Sequence, residues 1–381
     1  MSKRARILEI VKKFLEEAEE KGYTVYFVGP AGSIPAMAIS LCLWKIFEPF
    51  RHLIHYIRAC SGACLIMVPA AIGITSLVIE KIFRALRHLR NVVENIGFFA
   101  EYNQGTNLRG KLKDLWSYFT YGWFKATMTF WRHMADHRVG IVQGEHIKNL
   151  LRKIVKNATF KDAKPTLEIV ATKDGSAEPY IFSEETTPNV TLWDATVASC
   201  AIEHLFAIQK IDDDYFVDAA AVETVPIESV IKSHIARGLD PKKLLIIGAV
   251  VHTLEKSDVF HAFTRQKSNS STTQKRNFEL EKDLAINRYG TKLLMLEFDA
   301  NKVILPPAEP FAEFEELGKG FRFLRKLIAM IFNREAHDKF LRGIGIHLYK
   351  EINPAHFKLY LDHFEKIVDD KLERHIKEIK L

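Results

Sequence analysis

Residues 25–39 read "VYFVGPAGSIPAMAI", and the fold turns on how that stretch is parsed. Tyr23 to Val28 is β-branched and aromatic, the composition of a buried strand. Gly29, Pro30, Ala31 and Gly32 follow as a tight turn. From Ser33 to Phe47 the sequence is too rich in Ile, Leu, Met and Trp to face water on any side, so it predicts a helix through the middle of the fold. Strand, tight turn and buried helix together are the outline of an elbow that presents a nucleophile. Here Pro30 stands where a serine is expected. Upstream, Ile7, Ile10, Val11, Phe14 and Leu15 share one face of a charged amphipathic helix that Gly22 stops. That helix has no apolar core of the kind a secretory signal needs.

Downstream the pattern changes twice. Residues 48–135 are rich in Phe, Trp, Arg and His and helical in period, so they predict a helical insertion over about 50–135. Within it, Cys60 to Ile79 carries no charge and is long enough to span a bilayer. Residues 164–305 return to alternation. "PTLEIVAT", "EPYIFS", "DYFVDAAA", "KKLLIIGAVV", "TKLLMLEF" and "NKVILP" read as strands. "WDATVASCAIEHLF" and "IESVIKSHIARG" read as helices, and "RQKSNSSTTQKR" as a loop. Strands alternating with helices imply an α/β fold with a mainly parallel sheet. The division predicted is an α/β domain over 1–310 and a helical extension over 311–381.

With 381 residues and 48% hydrophobic residues, a sizeable core is available. The net charge of +7 is spread along the chain and suits an acidic surface such as anionic lipid. No basic block with interleaved aromatics argues for nucleic acid. The four cysteines, Cys42, Cys60, Cys64 and Cys200, sit in apolar sequence and read as buried reduced thiols of a cytoplasmic protein. His133 and His137 in "WRHMADHR" lie four apart, without the glutamate or third ligand that a metal site needs. No metal and no cofactor is expected.

Several segments, taken in order, resemble the patatin-like phospholipase family. They are the elbow "FVGPAGSIPAMAI", "VQGEHIKNLLRKIV", "KPTLEIVATKDGSAEPYIFSEE" and "TLWDATVASCAIEHLFAIQKIDDDYFVDAAAVETVPIESVI". The last holds a small-residue segment, a hairpin leading into Asp218, and a turn closed by Pro226. The resemblance covers roughly residues 5–305 and implies a three-layer sandwich with a Ser–Asp dyad that hydrolyses lipid acyl esters. Residue by residue, Asp218 is the retained dyad acid. The nucleophile falls on Pro30, or on a deletion beside it, within the elbow backbone Gly29, Ala31 and Gly32. The family's glycine-rich oxyanion loop falls on Met1 to Arg6, which contains no glycine, and the glycine after Asp218 is Ala219.

Proline has neither a nucleophilic atom nor an N–H. The expectation is therefore a catalytically inactive member that keeps the lipid-handling fold and binds lipid, a membrane surface or a partner protein. One alternative is an active acyl hydrolase with a relocated nucleophile, for which Ser33 is the nearby candidate, although a serine there also serves as a helix cap. The other is a membrane-anchored scaffold. A single span through Cys60–Ile79 would put strands of one sheet on opposite sides of a bilayer. Residues 50–95 are therefore expected to form a re-entrant or interfacial segment, or a soluble cap.

Overall fold

The computed structural model describes residues 2–86, 144–202, 206–252, 271–305 and 354–381. Among these, eight strands form one sheet. They are β1 (Thr24–Gly29), β2 (Tyr56–Cys60), β3 (Thr166–Lys173), β4 (Pro179–Phe182), β5 (Gln209–Ile211), β6 (Asp214–Val217), β7 (Leu244–His252) and β8 (Lys292–Asp299). Their order is β5-β6-β3-β2-β1-β7-β8, with β4 also paired to β3. The pairs β3–β2, β2–β1, β1–β7 and β7–β8 are parallel, and the β4, β5 and β6 pairings are antiparallel. The fold is mixed α/β with a mostly parallel central sheet. Helices cover both of its faces, as parallel sheets require.

The helices are α1 (Lys3–Glu20), α2 (Ser33–Phe47), α3 (Cys64–Ala71), α4 (Ser76–Ala85), α5 (Glu145–Val155), α6 (Leu192–Ser199), α7 (Ile227–Ala236), α8 (Ser271–Asp283) and α9 (Phe357–Glu378). Alternation along β1 assigns its two faces. Val25 and Phe27 join the larger core with α1, α2, α3 and α9, while Tyr26 and Val28 join a smaller core with α7 and α8. The C-terminal helix α9 lies in the larger core through Phe357, Tyr360, Leu361, Phe364, Val368 and Leu372.

Three sequence expectations change here. Residues 56–85 are not part of a helical insertion: Tyr56–Cys60 is a central strand, and Cys60–Ala71 is buried throughout. That stretch lacks charge because it fills the interior of an α/β fold. "NKVILP" forms no strand and gives only a short turn of helix at Ala300–Lys302. The tail of the "RQKSNSSTTQKR" run opens α8. His133 and His137 lie outside the described residues. One described helical segment, Ser33–Leu53, is apolar and long enough to cross a membrane by length and composition, but 72% of its most apolar window is buried inside the fold.

Candidate active site

The carboxyl ends of parallel strands are where an α/β sheet presents its crevice, and β2 ends there on Cys60. The next residue, Ser61, adopts φ +46, a left-handed conformation that a residue with a Cβ occupies at a cost of roughly 1–2 kcal/mol. Gly62 and Ala63 complete the turn and Cys64 opens α3. This is a strand–turn–helix elbow with a serine at its apex. A Cβ on Gly62 would stand 2.4 Å from the Ser33 carbonyl oxygen and 2.9 Å from its Cα. Only glycine fits, because the turn after β1 packs directly on the elbow.

Asp218 comes from the opposite side of the site, immediately after β6. Its Oδ1 accepts the Ala220 N–H at 2.7 Å, and its backbone carbonyl accepts the Thr172 hydroxyl at 3.2 Å. The Ser61 hydroxyl donates to Asp218 Oδ2 at 2.7 Å. Both residues are nearly closed off, Ser61 at 4% and Asp218 at 2% exposure. Small residues surround them: Ala31, Cys60, Val170 and Ala219 form one buried cluster. Ala219 is fully buried beside the pair.

The turn Gly29–Ser33 sits beside this pair. A Cβ on Gly29 would meet Ala63 Cβ at 2.7 Å. Pro30 is buried, and the Ala31 N–H donates to the Thr224 carbonyl at 2.7 Å. Gly32 and Ser33 both have positive φ, +137 and +51. Residues 3–6, within the stretch on which the resemblance places the oxyanion loop, are the first turn of α1. Asp218 Oδ2 thus accepts from a residue of the elbow after β2 and not of the turn after β1.

Ser61 was missed because its surroundings hid it. "RACSGAC" has no flanking glycine pair and leads into an uncharged run, so it read as the edge of a membrane segment. The discriminating signal was the strand-length "HYIRA" before it and the "SGA" of small residues after it.

The neighbouring thiols do not compete for the role. Burial raises Cys60 and Cys200 well above the ordinary thiol value, and burial pushes Cys64 up to about 12. All three stay protonated at neutral pH, whereas the thiolate is the reactive form. Among the described residues no group of three or more His, Cys, Asp or Glu side chains is placed to hold a metal ion.

Residues 59–231 match the family model described as patatin-like phospholipase. The segment starts at Ala59 within β2 and runs past Asp218 into α7, so it contains both Ser61 and Asp218. Among solved structures, VipD from Legionella pneumophila matches with 15% identity and a TM-score of 0.38, covering 94% of this chain and 79% of that one. Comparison with curated proteins returns no match.

Proposed function

Because residues 59–231 match the patatin-like phospholipase family model, we propose that the chain hydrolyses acyl esters of lipids through a Ser61–Asp218 dyad. The observation that carries this reading is the 2.7 Å hydrogen bond from the Ser61 hydroxyl to Asp218 Oδ2 at the apex of a strained elbow. In the proposed reaction Asp218 takes the Ser61 proton as Oγ attacks the ester carbonyl. The leaving alcohol departs with that proton; water, deprotonated by Asp218, then attacks the acyl-serine, and Asp218 returns the proton to Ser61 Oγ as the acid leaves. Asp218 Oδ1 is fixed by the Ala220 N–H, which keeps Oδ2 aimed at the nucleophile. Pro30 has no N–H and that of Ala31 is given to Thr224. The task of stabilising the oxyanion from this turn therefore falls to the backbone N–H groups of Gly32 and Ser33.

The substrate class follows from the family resemblance and a basic chain, and points to ester lipids presented at an anionic surface. Leu77 and Val78 on α4 are exposed at 58% and 45%, with Lys81 exposed on the same helix. We assign them as the membrane-facing part of the chain.

The test is reaction of the whole chain with a fluorophosphonate probe and with a short-chain nitrophenyl ester. Wild type is expected to label on Ser61 and to turn over. Ser61→Ala is expected to lose both, a fall on the order of 10⁴–10⁶-fold, and Asp218→Asn to lose most of the turnover. A second reading, a lipid-binding member without turnover, is favoured by the near-complete burial of the dyad. Absence of labelling and turnover in wild type would establish that reading over the first.

A further inference from the structure

We propose that Ser199 is a positioning residue, the replaceable part of a brace that holds nucleophile and base at their working separation. This rests on the reading of Ser61 as the nucleophile. The Ser61 N–H donates to Ser199 Oγ at 2.8 Å, and the Cys64 thiol donates to the same oxygen at 3.4 Å. One hydroxyl therefore receives both the apex of the elbow and the first residue of α3. Two residues further on, the Ala201 carbonyl accepts the Asp218 N–H at 2.9 Å. The short segment 199–201 thus ties down the backbone of both dyad partners, one through a side chain and one through a carbonyl.

The physical need for such a tie is specific to residue 61. A serine held at φ +46 relaxes toward negative φ unless its neighbours prevent it. Its amide is buried, and a buried N–H without an acceptor is strongly disfavoured. Ser199 has 0% exposure at the last position of α6, and α6 packs against β3 and α3. The acceptor is therefore fixed to a rigid element and not to a loop. Small displacements matter here: a shift of about 1 Å at reacting atoms costs on the order of 10²-fold in rate. Ser199 touches Ser61 only through the backbone N–H, so its effect is to orient Oγ and not to move a proton.

The experiment compares wild type, Ser199→Ala and Cys64→Ala as full chains. Readouts are kcat and KM for the nitrophenyl ester, the rate of fluorophosphonate labelling at Ser61, and amide hydrogen exchange at residue 61. Ser199→Ala is expected to lower kcat and labelling together by about 30–100-fold, with KM unchanged and faster exchange at the Ser61 amide. Cys64→Ala, which leaves the Ser61 bond intact, is expected to stay within about threefold of wild type. A folded Ser199→Ala protein with wild-type kcat and wild-type exchange at residue 61 would overturn the proposal. If alanine prevents folding, the equal-shaped pair Ser199→Thr and Ser199→Val decides it, since only threonine keeps the acceptor; equal rates in the two would sink it. A wild type that neither labels nor turns over defeats the hydrolase reading, and the exchange at residue 61 then still decides the brace.

Discussion

At Gly62 the absence of a side chain is a packing requirement with a measurable consequence. Alanine there drives a Cβ into the backbone of Ser33, which cannot move aside as a flexible side chain would. Gly62→Ala is expected to lower unfolding free energy by about 2 kcal/mol in a denaturant melt, and to reduce ester hydrolysis by at least about 10²-fold. Ser33 gives the complementary case. Ser33→Gly removes the hydroxyl while tolerating φ +51, so turnover is expected to remain within about threefold of wild type. Adding Pro30→Ser to Ser61→Ala is expected to restore no activity, because position 30 lies in the turn that abuts the elbow and not at its apex. Recovery of turnover in that double variant would return the nucleophile to the first turn. These residues also show what was readable. Asp218 was legible because a strand ends on it and small residues follow. Ser61 was not, because a left-handed φ leaves no mark on a residue type, and the supporting glycine contact comes from a turn far away in sequence.

The elements repeat that division between local and distant signals. The strands β1, β3, β7 and β8 and the helices α1, α2 and α7 were legible because their apolar periods are long. β2 was not legible: it carries Arg58 at its centre, a residue that argues against a buried strand. Its burial depends on a partner 110 positions away. Arg58 and Glu168 face each other in register on β2 and β3, both with 0% side-chain exposure. The Arg58 Nε donates to Glu168 Oε2 at 2.7 Å, and its Nη2 donates to Ser233 Oγ at 2.7 Å. Arg237, just past α7, donates to the other Glu168 oxygen at 2.5 Å. Glu168 therefore bridges two guanidinium groups, and Glu185 gives Arg237 a second carboxylate at 2.9 Å, with the stacked rings of Tyr26 and Tyr56 against them. Glu168→Ala leaves the buried Arg58 uncompensated and is expected to cost about 3–5 kcal/mol. The pair Arg58→Met with Glu168→Leu removes the charge as well as its partner, and is expected to cost clearly less in the same urea titration. If the double variant costs as much as the single, charge compensation is not what holds β2 in the sheet.

Across the whole molecule, the chain ends meet. Arg4 pairs with Asp369 at 2.7 Å and Lys3 with Asp370 at 2.9 Å, laying α9 along α1 over α2. Sequence order carried no trace of this, since both helices are amphipathic and neither names its partner. The opposite face of the sheet carries two carboxyls whose protons the fold holds. Glu281 on α8 is raised to about 8, by burial first and then by Glu223 and Glu228. Glu223, whose Oε1 accepts the Ser229 N–H at the start of α7, is itself raised by burial. A carboxyl whose folded value lies above its unfolded value of about 4.3 binds its proton more tightly in the fold. Its contribution is complete below the unfolded value and is lost as pH rises toward 8. Glu281→Gln keeps the neutral amide shape at every pH. Its stability is therefore expected to match wild type near pH 4 and to exceed it progressively toward pH 8, by about 2 kcal/mol after solvent screening. Urea titrations of both proteins from pH 4 to 8 at fixed ionic strength check this. Parallel curves across that range would mean that Glu281 is ionised in the fold at no cost, and that α8 is not held by a neutral carboxyl.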